Sequence, residues 1–355
     1  MNMTLILTRQ CNLRCRYCFE EHSAAAMTEE TALRAVNLAA GDGSRECNIS
    51  FFGGEALLRR ELIETCVNYA KQQYPRTQFR FNITTNGLLL DESFLTFARE
   101  NDLRIAFSHD GAMSRVNRLY ADGRDCMEKL EEDFALYLRF QPKSFVMATV
   151  AANGVEQTAQ SVIGLFEKGA ARVNLAIDAR PDAGWDDGSM DILARQLEAI
   201  ADYVLAAFRE GRKVAFNPFD EKILSITKRQ SCHVCNLGYR KLYADWDGSL
   251  YPCIQFGGIP AYRIGSVTEG IDEKARAAIH ARSLMKPAFC EGCALAARCV
   301  NDCACLNFQQ CGEMGEVSAA QCRWQQMLIR TADALAQRMI EADEQAFLRH
   351  YLMPS

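Results

Sequence analysis

The sequence predicts an α/β protein: a run of β–α repeats, then a smaller cysteine-rich α+β domain containing a β-hairpin. Three observations predict it. Short apolar runs alternate six times with stretches of helical length and pattern between residues 5 and 209. Near residues 210–222 the pattern changes, and long helical stretches give way to short segments rich in cysteine and glycine. The chain has 355 residues, more than one average domain holds and about right for two. Six such repeats build a parallel sheet curled into a barrel, or part of one.

The elements follow in order. Residues 5–7, flanked by Thr4 and Thr8, read as a short buried strand. Thr28 suits the N-cap of a helix running to Ala40. Glu29 and Glu30 face the positive end of its dipole, and Gly41 closes it. A strand over 47–52 leads to a helix over 55–74, stopped before Pro75. Then come a strand at 78–84, a helix at 92–100, a strand at 103–108 and a helix at 125–139. A strand at 144–150, a helix at 157–168, a strand at 171–177 and a helix at 190–209 complete the repeats. Residues 242–252 read as a hairpin turning at Asp247-Gly248. Residues 323–341 form a closing amphipathic helix, followed by a frayed tail. The domains are placed at 1–212, 213–325 and 326–355.

Composition narrows the function classes. With 49% hydrophobic residues the chain has ample material for a core. A net charge of -5 and a pI near 5.7 argue against nucleic-acid binding, which favours basic surfaces. No apolar run approaches the roughly 20 residues of a membrane span, and no signal peptide is expected at the start. The anomaly is 16 cysteines. In a long chain without secretory marks they read as metal ligands in a cytoplasmic protein rather than as disulfides.

The cysteines have an order. Cys11, Cys15 and Cys18 form a C-x3-C-x2-C triplet directly after the first strand. So close in sequence, they share one loop. Thiolates select zinc, copper(I) or an iron–sulfur cluster. Zinc normally takes four ligands with paired spacing. A lone triplet suits a 4Fe-4S cluster with one iron left for a small molecule.

The triplet, with Tyr17 before its last cysteine, resembles the signature of the radical S-adenosylmethionine (SAM) enzymes. The resemblance implies a partial (β/α)6 TIM-like barrel and a 4Fe-4S cluster whose open iron binds the amino and carboxylate groups of SAM. It implies that one electron cleaves SAM, and that the resulting 5′-deoxyadenosyl radical abstracts hydrogen from a substrate. Further marks fall at the ends of later strands, where barrel enzymes keep their sites. Gly53-Gly54-Glu55 is similar to the family's glycine-glycine-glutamate-proline motif, with Ala56 in place of proline. The glycines let a ligand approach the backbone, and by resemblance Glu55 meets the SAM amino group. Thr85-Asn86-Gly87 resembles a ribose-side motif, and Ser108 of Ser108-His109-Asp110-Gly111 resembles a SAM contact. Ser108 and Asp110 are expected on one side of the strand and His109 on the other. Arg118 is expected to be a solvated arginine, the alternative being a side chain that holds a carboxylate or a substrate.

The second half resembles the SPASM extension of radical SAM enzymes that mature peptides and proteins. It shows C-x9-15-G-x4-C at Cys235, Gly248 and Cys253, then C-x2-C-x5-C-x3-C at Cys290, Cys293, Cys299 and Cys303, then Cys322. The resemblance implies two auxiliary 4Fe-4S clusters, making three in all. Cys235, Cys253 and Cys303 would hold the first, with Cys232 as its fourth ligand. Cys290, Cys293, Cys299 and Cys322 would hold the second. Zinc is the alternative metal here. Cys47 and Cys66 read as small core residues, and Cys126, Cys305 and Cys311 are left unassigned.

The expected activity is that of a radical SAM oxidoreductase, a maturase forming a thioether or carbon–carbon cross-link in a ribosomally made peptide. The alternatives are a sulfatase-type formylglycine-generating maturase and an enzyme acting on a small metabolite. Sulfatase maturases usually carry an aspartate just after the position of Cys253, where this chain has Ile254. Expected partners are the peptide, bound either directly or through a separate leader-binding protein, and an electron donor of flavodoxin or ferredoxin type. No catalytic acid or base stands out. Tyr243, Asp245 and Asp247 read equally well as hairpin residues.

Overall fold

The computed structural model describes residues 1–41, 43–227, 235–299 and 303–352. Its strands are β1 (Asn2–Ile6), β2 (Glu46–Phe52), β3 (Gln78–Thr85), β4 (Leu103–Ser108), β5 (Phe145–Val150), β6 (Arg172–Ile177), β7 (Ala215–Phe216), β8 (Lys241–Ala244), β9 (Leu250–Tyr251), β10 (Gly265–Ser266) and β11 (Gly270–Ile271). Its α-helices are α1 (Glu29–Ala40), α2 (Arg60–Gln73), α3 (Glu92–Glu100), α4 (Ser114–Asn117), α5 (Met127–Phe140), α6 (Thr158–Glu167), α7 (Asp187–Arg209), α8 (Asn217–Thr227), α9 (Glu273–Ser283), α10 (Ala304–Cys311) and α11 (Ala319–Tyr351). The six expected β–α repeats are present. The unexpected elements β7, β10, β11, α4 and α8–α10 are short, and β7 has two residues, too few to show a period.

The chain divides into two compact units, and the division is not linear along it. The first takes Met1–Ser108, Leu119–Gln141 and Cys235–Leu284. The second takes His109–Arg118, Pro142–Val234 and Met285–Ser355.

In the first unit the strand order is β4-β3-β2-β1-β8-β9. All neighbours are parallel except the β8–β9 hairpin. The hairpin turns at Asp247-Gly248 as expected, with Gly248 at φ +85°. Its first strand also pairs with β1, Asn2 opposite Lys241, so cysteine-bearing chain extends the parallel sheet. Alternation buries Cys47, Ile49 and Phe51 along β2, and Phe51 stacks on Phe81 of β3 at 6.4 Å. Phe107 of β4 meets Phe134 and Tyr137 of α5 at 5.2 and 5.0 Å, and the Tyr137 hydroxyl donates to Ile105 O at 2.9 Å. Helix starts follow local chemistry: Thr28 accepts from the N–H of Thr31, and Asp91 from that of Phe94. Because β1 to β4 are parallel, the loops leaving their C-terminal ends share one edge of this sheet.

In the second unit β5, β6 and β7 are parallel neighbours. Helices α7 and α11 are joined by Arg323 to Asp187 and Asp191 and by Arg338 to Asp202. The expected frayed tail is corrected. Helix α11 continues to Tyr351 past a break at Asp343, because Phe347 and Tyr351 are buried and the Tyr351 hydroxyl donates to Asp220 at 3.0 Å. Among the described residues no helix is long and apolar enough to cross a membrane.

Candidate active site

The triplet loop leaves the C-terminal end of β1, in the first unit. Cys11, Cys15 and Cys18 are all partly buried. Leu13, wholly buried, anchors the loop, and the N–H of Arg14 donates to Leu119 O at 2.7 Å. The N–H of Leu13 points at Cys11 Sγ, 3.4 Å away, and that of Cys18 donates to Cys15 O. Tyr17 lies on the same loop, half-buried.

Burial pushes the Cys11 thiol up to about 11, and the nearby charges of Glu55 and Cys18 push the same way. A thiolate there needs a cation beside it, and a bound metal deprotonates a coordinating thiol outright. Three soft donors on one turn, with a backbone N–H directed at sulfur, fit an iron–sulfur group. Among the described residues no three Cys, His, Asp or Glu side chains are placed to hold a single metal ion.

The loop after β2 packs against the base of the triplet loop. The N–H groups of Gly54 and Glu55 donate to Thr8 O and Gln10 O at 2.9 and 2.8 Å. A Cβ on Gly53 would lie 2.3 Å from Thr8 O, and one on Gly54 would lie 2.3 Å from Gln10 O. What the two glycines admit is the chain's own backbone, just before Cys11, whereas the sequence suggested room for a ligand.

Glu55 is 1% exposed. Its carboxylate accepts from Leu57 N at 2.9 Å, Thr85 Oγ1 at 2.7 Å and Asn86 N at 2.8 Å. Thr85 and Asn86 come from the end of β3. The Asn86 amide donates to Asn12 Oδ1 at 2.7 Å and lies 3.9 Å from Cys11 Sγ. Gly87 has φ +84° and closes the turn over the Phe107 ring, where any side chain would collide. Three motifs far apart in sequence thus meet around one buried anion. Ser108 ends β4, half-buried.

The residues after Ser108 belong to the second unit and correct two expectations. Alternation stops because β4 stops, and His109 and Asp110 are both wholly buried. Arg118 is 5% exposed and bidentate to Asp110 at 2.9 and 3.0 Å, while Asp110 also accepts from Thr149 N. It is an internal clamp, not a solvated side chain.

Sequence reasoning missed a buried ion triad flanking the triplet. Arg9 bonds Glu20 at 2.5 Å and Asp245 at 2.6 Å. Burial pushes the Glu20 carboxyl up, against the pull of Arg9. Arg9 and Glu20 bracket the triplet in sequence. Nothing in the sequence pairs either with Asp245 on the hairpin.

Of the second-half cysteines, Cys235 and Cys253 lie in the first unit, both close enough to Lys241 to favour its charge against burial. Cys303 caps α10 in the second unit. Cys232 lies outside the described residues. Cys290, Cys293, Cys299 and Cys322, all in the second unit, line one cavity of about 160 Å³. The first three sit on successive tight turns, with Cys293 N donating to Cys290 O at 3.2 Å. Cys322 projects from α11 and accepts from the Gln326 amide at 3.3 Å. Four thiols around one cavity fit a four-thiolate cluster. Cys47 and Cys66 are core residues as expected, and burial pushes the Cys66 thiol up to about 12.

Comparison with known proteins agrees with this geometry. Residues 5–151 match the model of the Radical SAM superfamily. The chain is 24% identical to the cysteine-type anaerobic sulfatase-maturating enzyme of Clostridium perfringens over 279 residues, 73% of this chain and 75% of that one. Among solved structures, native anSMEcpe with bound AdoMet and Kp18Cys peptide matches at a TM-score of 0.77 and 20% identity, covering 99% of both chains. Streptococcus suis SuiB bound to precursor peptide SuiA matches at 0.63 and 17%, covering 90% of this chain and 75% of that one. These likenesses bear out the expected partial TIM-like barrel. With a triplet loop, a buried glutamate and an asparagine converging inside the matched segment, residues 5–151 are a radical SAM domain.

Proposed function

We propose that the protein is a peptide maturase that removes hydrogen from a ribosomally made peptide and forms a thioether or carbon–carbon cross-link. The observation that carries this reading is the second set of four cysteines around one cavity, apart from the SAM-binding triplet. Peptide-bound relatives, anSMEcpe with its Kp18Cys peptide and SuiB with SuiA, support a peptide substrate.

On this reading Cys11, Cys15 and Cys18 hold the SAM-binding cluster. Cys290, Cys293, Cys299 and Cys322 hold one auxiliary cluster. Cys235, Cys253, Cys303 and Cys232 hold the other. When bound, the first cluster supplies the electron that frees a 5′-deoxyadenosyl radical from SAM, and the auxiliary clusters carry electrons. Glu55 is a fixed anion for the SAM ammonium, its place set by three donors before SAM arrives. Asn86, Thr85, Ser108 and Tyr17 line the approach to SAM. The domains follow the motifs, 1–212 for SAM and 213–325 for the auxiliary clusters, with the helix and tail of 326–355 closing the chain. A flavodoxin- or ferredoxin-type protein in the cytoplasm donates the electrons.

A second reading, oxidation of a protein cysteine or serine to formylglycine, is favoured by the relative from Clostridium perfringens. Ile254, in place of the usual aspartate, weighs against it.

Anaerobic reconstitution followed by iron analysis and a deoxyadenosine assay tests the class. Three clusters give about twelve irons per chain. About four irons would remove the auxiliary clusters and overturn the proposal. Product mass separates the two readings. Each cross-link costs the peptide two hydrogens and leaves no aldehyde, whereas an aldehyde trapped by hydrazine on a sulfatase-type cysteine peptide establishes the second reading.

A further inference from the structure

The cavity of Cys290, Cys293, Cys299 and Cys322 has a buried cation behind it. Lys222, on α8, is 2% exposed. Its ammonium donates to Arg298 O at 2.8 Å and to Gln325 Oε1 at 2.7 Å. Arg298 immediately precedes Cys299. Gln325 is three residues beyond Cys322 on α11, 4% exposed, and lines the cavity. The Arg298 guanidinium returns a bond to Lys222 O at 3.1 Å and is bidentate to Asp333 of α11 at 2.6 and 2.8 Å.

One ammonium therefore ties the turn that presents Cys299 to the helix that presents Cys322. Burying an ammonium is costly unless its surroundings are strongly polar or negative. Four thiolates around iron place net negative charge in the cavity beside Gln325. A fixed positive charge near such a centre stabilises its reduced, more negative form.

We propose that Lys222, acting through Gln325, is a positioning residue for the group held by these four cysteines and makes that group easier to reduce. The proposal rests on the reading of this cavity as an auxiliary iron–sulfur site.

The test is a redox titration of the reconstituted full-length protein, followed by EPR, with iron and sulfide counted on the same sample. Lys222→Met keeps the length of the side chain and removes the charge. Gln325→Glu keeps the hydrogen bond to Lys222 and cancels its charge. Both should lower the potential of the auxiliary centre, making reduction about tenfold less favourable, or 59 mV for one electron. Lys222→Arg should stay near the wild type. An unchanged potential in Lys222→Met would overturn the proposal. If Lys222→Met fails to fold or loses its auxiliary iron, Lys222→Gln, which removes the charge and keeps a hydrogen-bond donor, decides: a negative shift supports the proposal and no shift overturns it. Cys322→Ser separates this from failure of the underlying reading. If that variant keeps all the iron of the wild type, the cavity holds no cluster and the site assignment itself falls.

Discussion

The two cysteine sites are built in different ways. The triplet sits at the end of a central strand, and its neighbours are the ends of adjacent parallel strands. Glu55, Thr85 and Asn86 reach it because β1, β2 and β3 are in register. The four-cysteine cavity rests on tight turns over 287–299 and on one helix, held together by Lys222 and Arg298. The first site takes its precision from the sheet. The second depends on a few long polar side chains, so its stability and its redox properties should be the more easily altered.

The largest effects test whether the sites are independent. Cys15→Ala should abolish deoxyadenosine formation and remove about four irons. Cys322→Ser should remove a similar amount and still cleave SAM with a chemical reductant. Loss of SAM cleavage in Cys322→Ser would show that the two sites act as one.

Next comes the sheet's part in the first site. Gly54→Ala drives a methyl group into Gln10 O. It should cost the triplet its iron while the cavity keeps its own, read as a loss of about four irons of twelve. Full iron content would mean that the loop tolerates the shift.

A smaller effect concerns the triad. Arg9→Met leaves the buried Glu20 and Asp245 carboxylates facing each other, a loss of roughly 3–5 kcal/mol. Burial already raises the Glu20 carboxyl above its unfolded value, so its contribution to stability is lost as pH rises through that interval. The gap in Tm between variant and wild type should therefore be wider at pH 8 than at pH 5.

The smallest effect lies in the second unit, away from any cysteine. Burial pushes the Asp220 carboxyl up to about 7, against its hydrogen bond from Tyr351 and the charge of Arg172. The folded value exceeds the unfolded one, so ionisation costs stability as pH climbs from about 4 to 7. Asp220→Asn should stabilise by roughly 1–3 kcal/mol at pH 8 and change little at pH 4, measured by thermal unfolding.

What was legible in the sequence was what short-range pattern controls. The β–α alternation, the Thr28 cap and the Asp247-Gly248 turn each need only a few neighbouring residues, and each appears as read. The triplet and Gly53-Gly54-Glu55 were legible for the same reason. Arg118 was misread because its partner Asp110 is buried only when α4 folds back, and no local pattern reports that. The tail was misread because Phe347 and Tyr351 find their cover in tertiary packing. The purpose of the two glycines was also hidden. Whether a Cβ would meet a ligand or the chain itself depends on where Thr8 to Gln10 runs.

The sequence by itself determined the elements, the order of the motifs and the kinds of ligand atoms available, since dihedral preference, hydrophobic period and thiol chemistry are local properties. Only the tertiary structure decided that β8 joins β1, that Arg9 meets Asp245, that Glu55 is held by Thr85 and Asn86, and that Lys222 stands behind four cysteines. Each of these brings together groups from separate stretches of chain, and burial, not sequence distance, determines which of them meet.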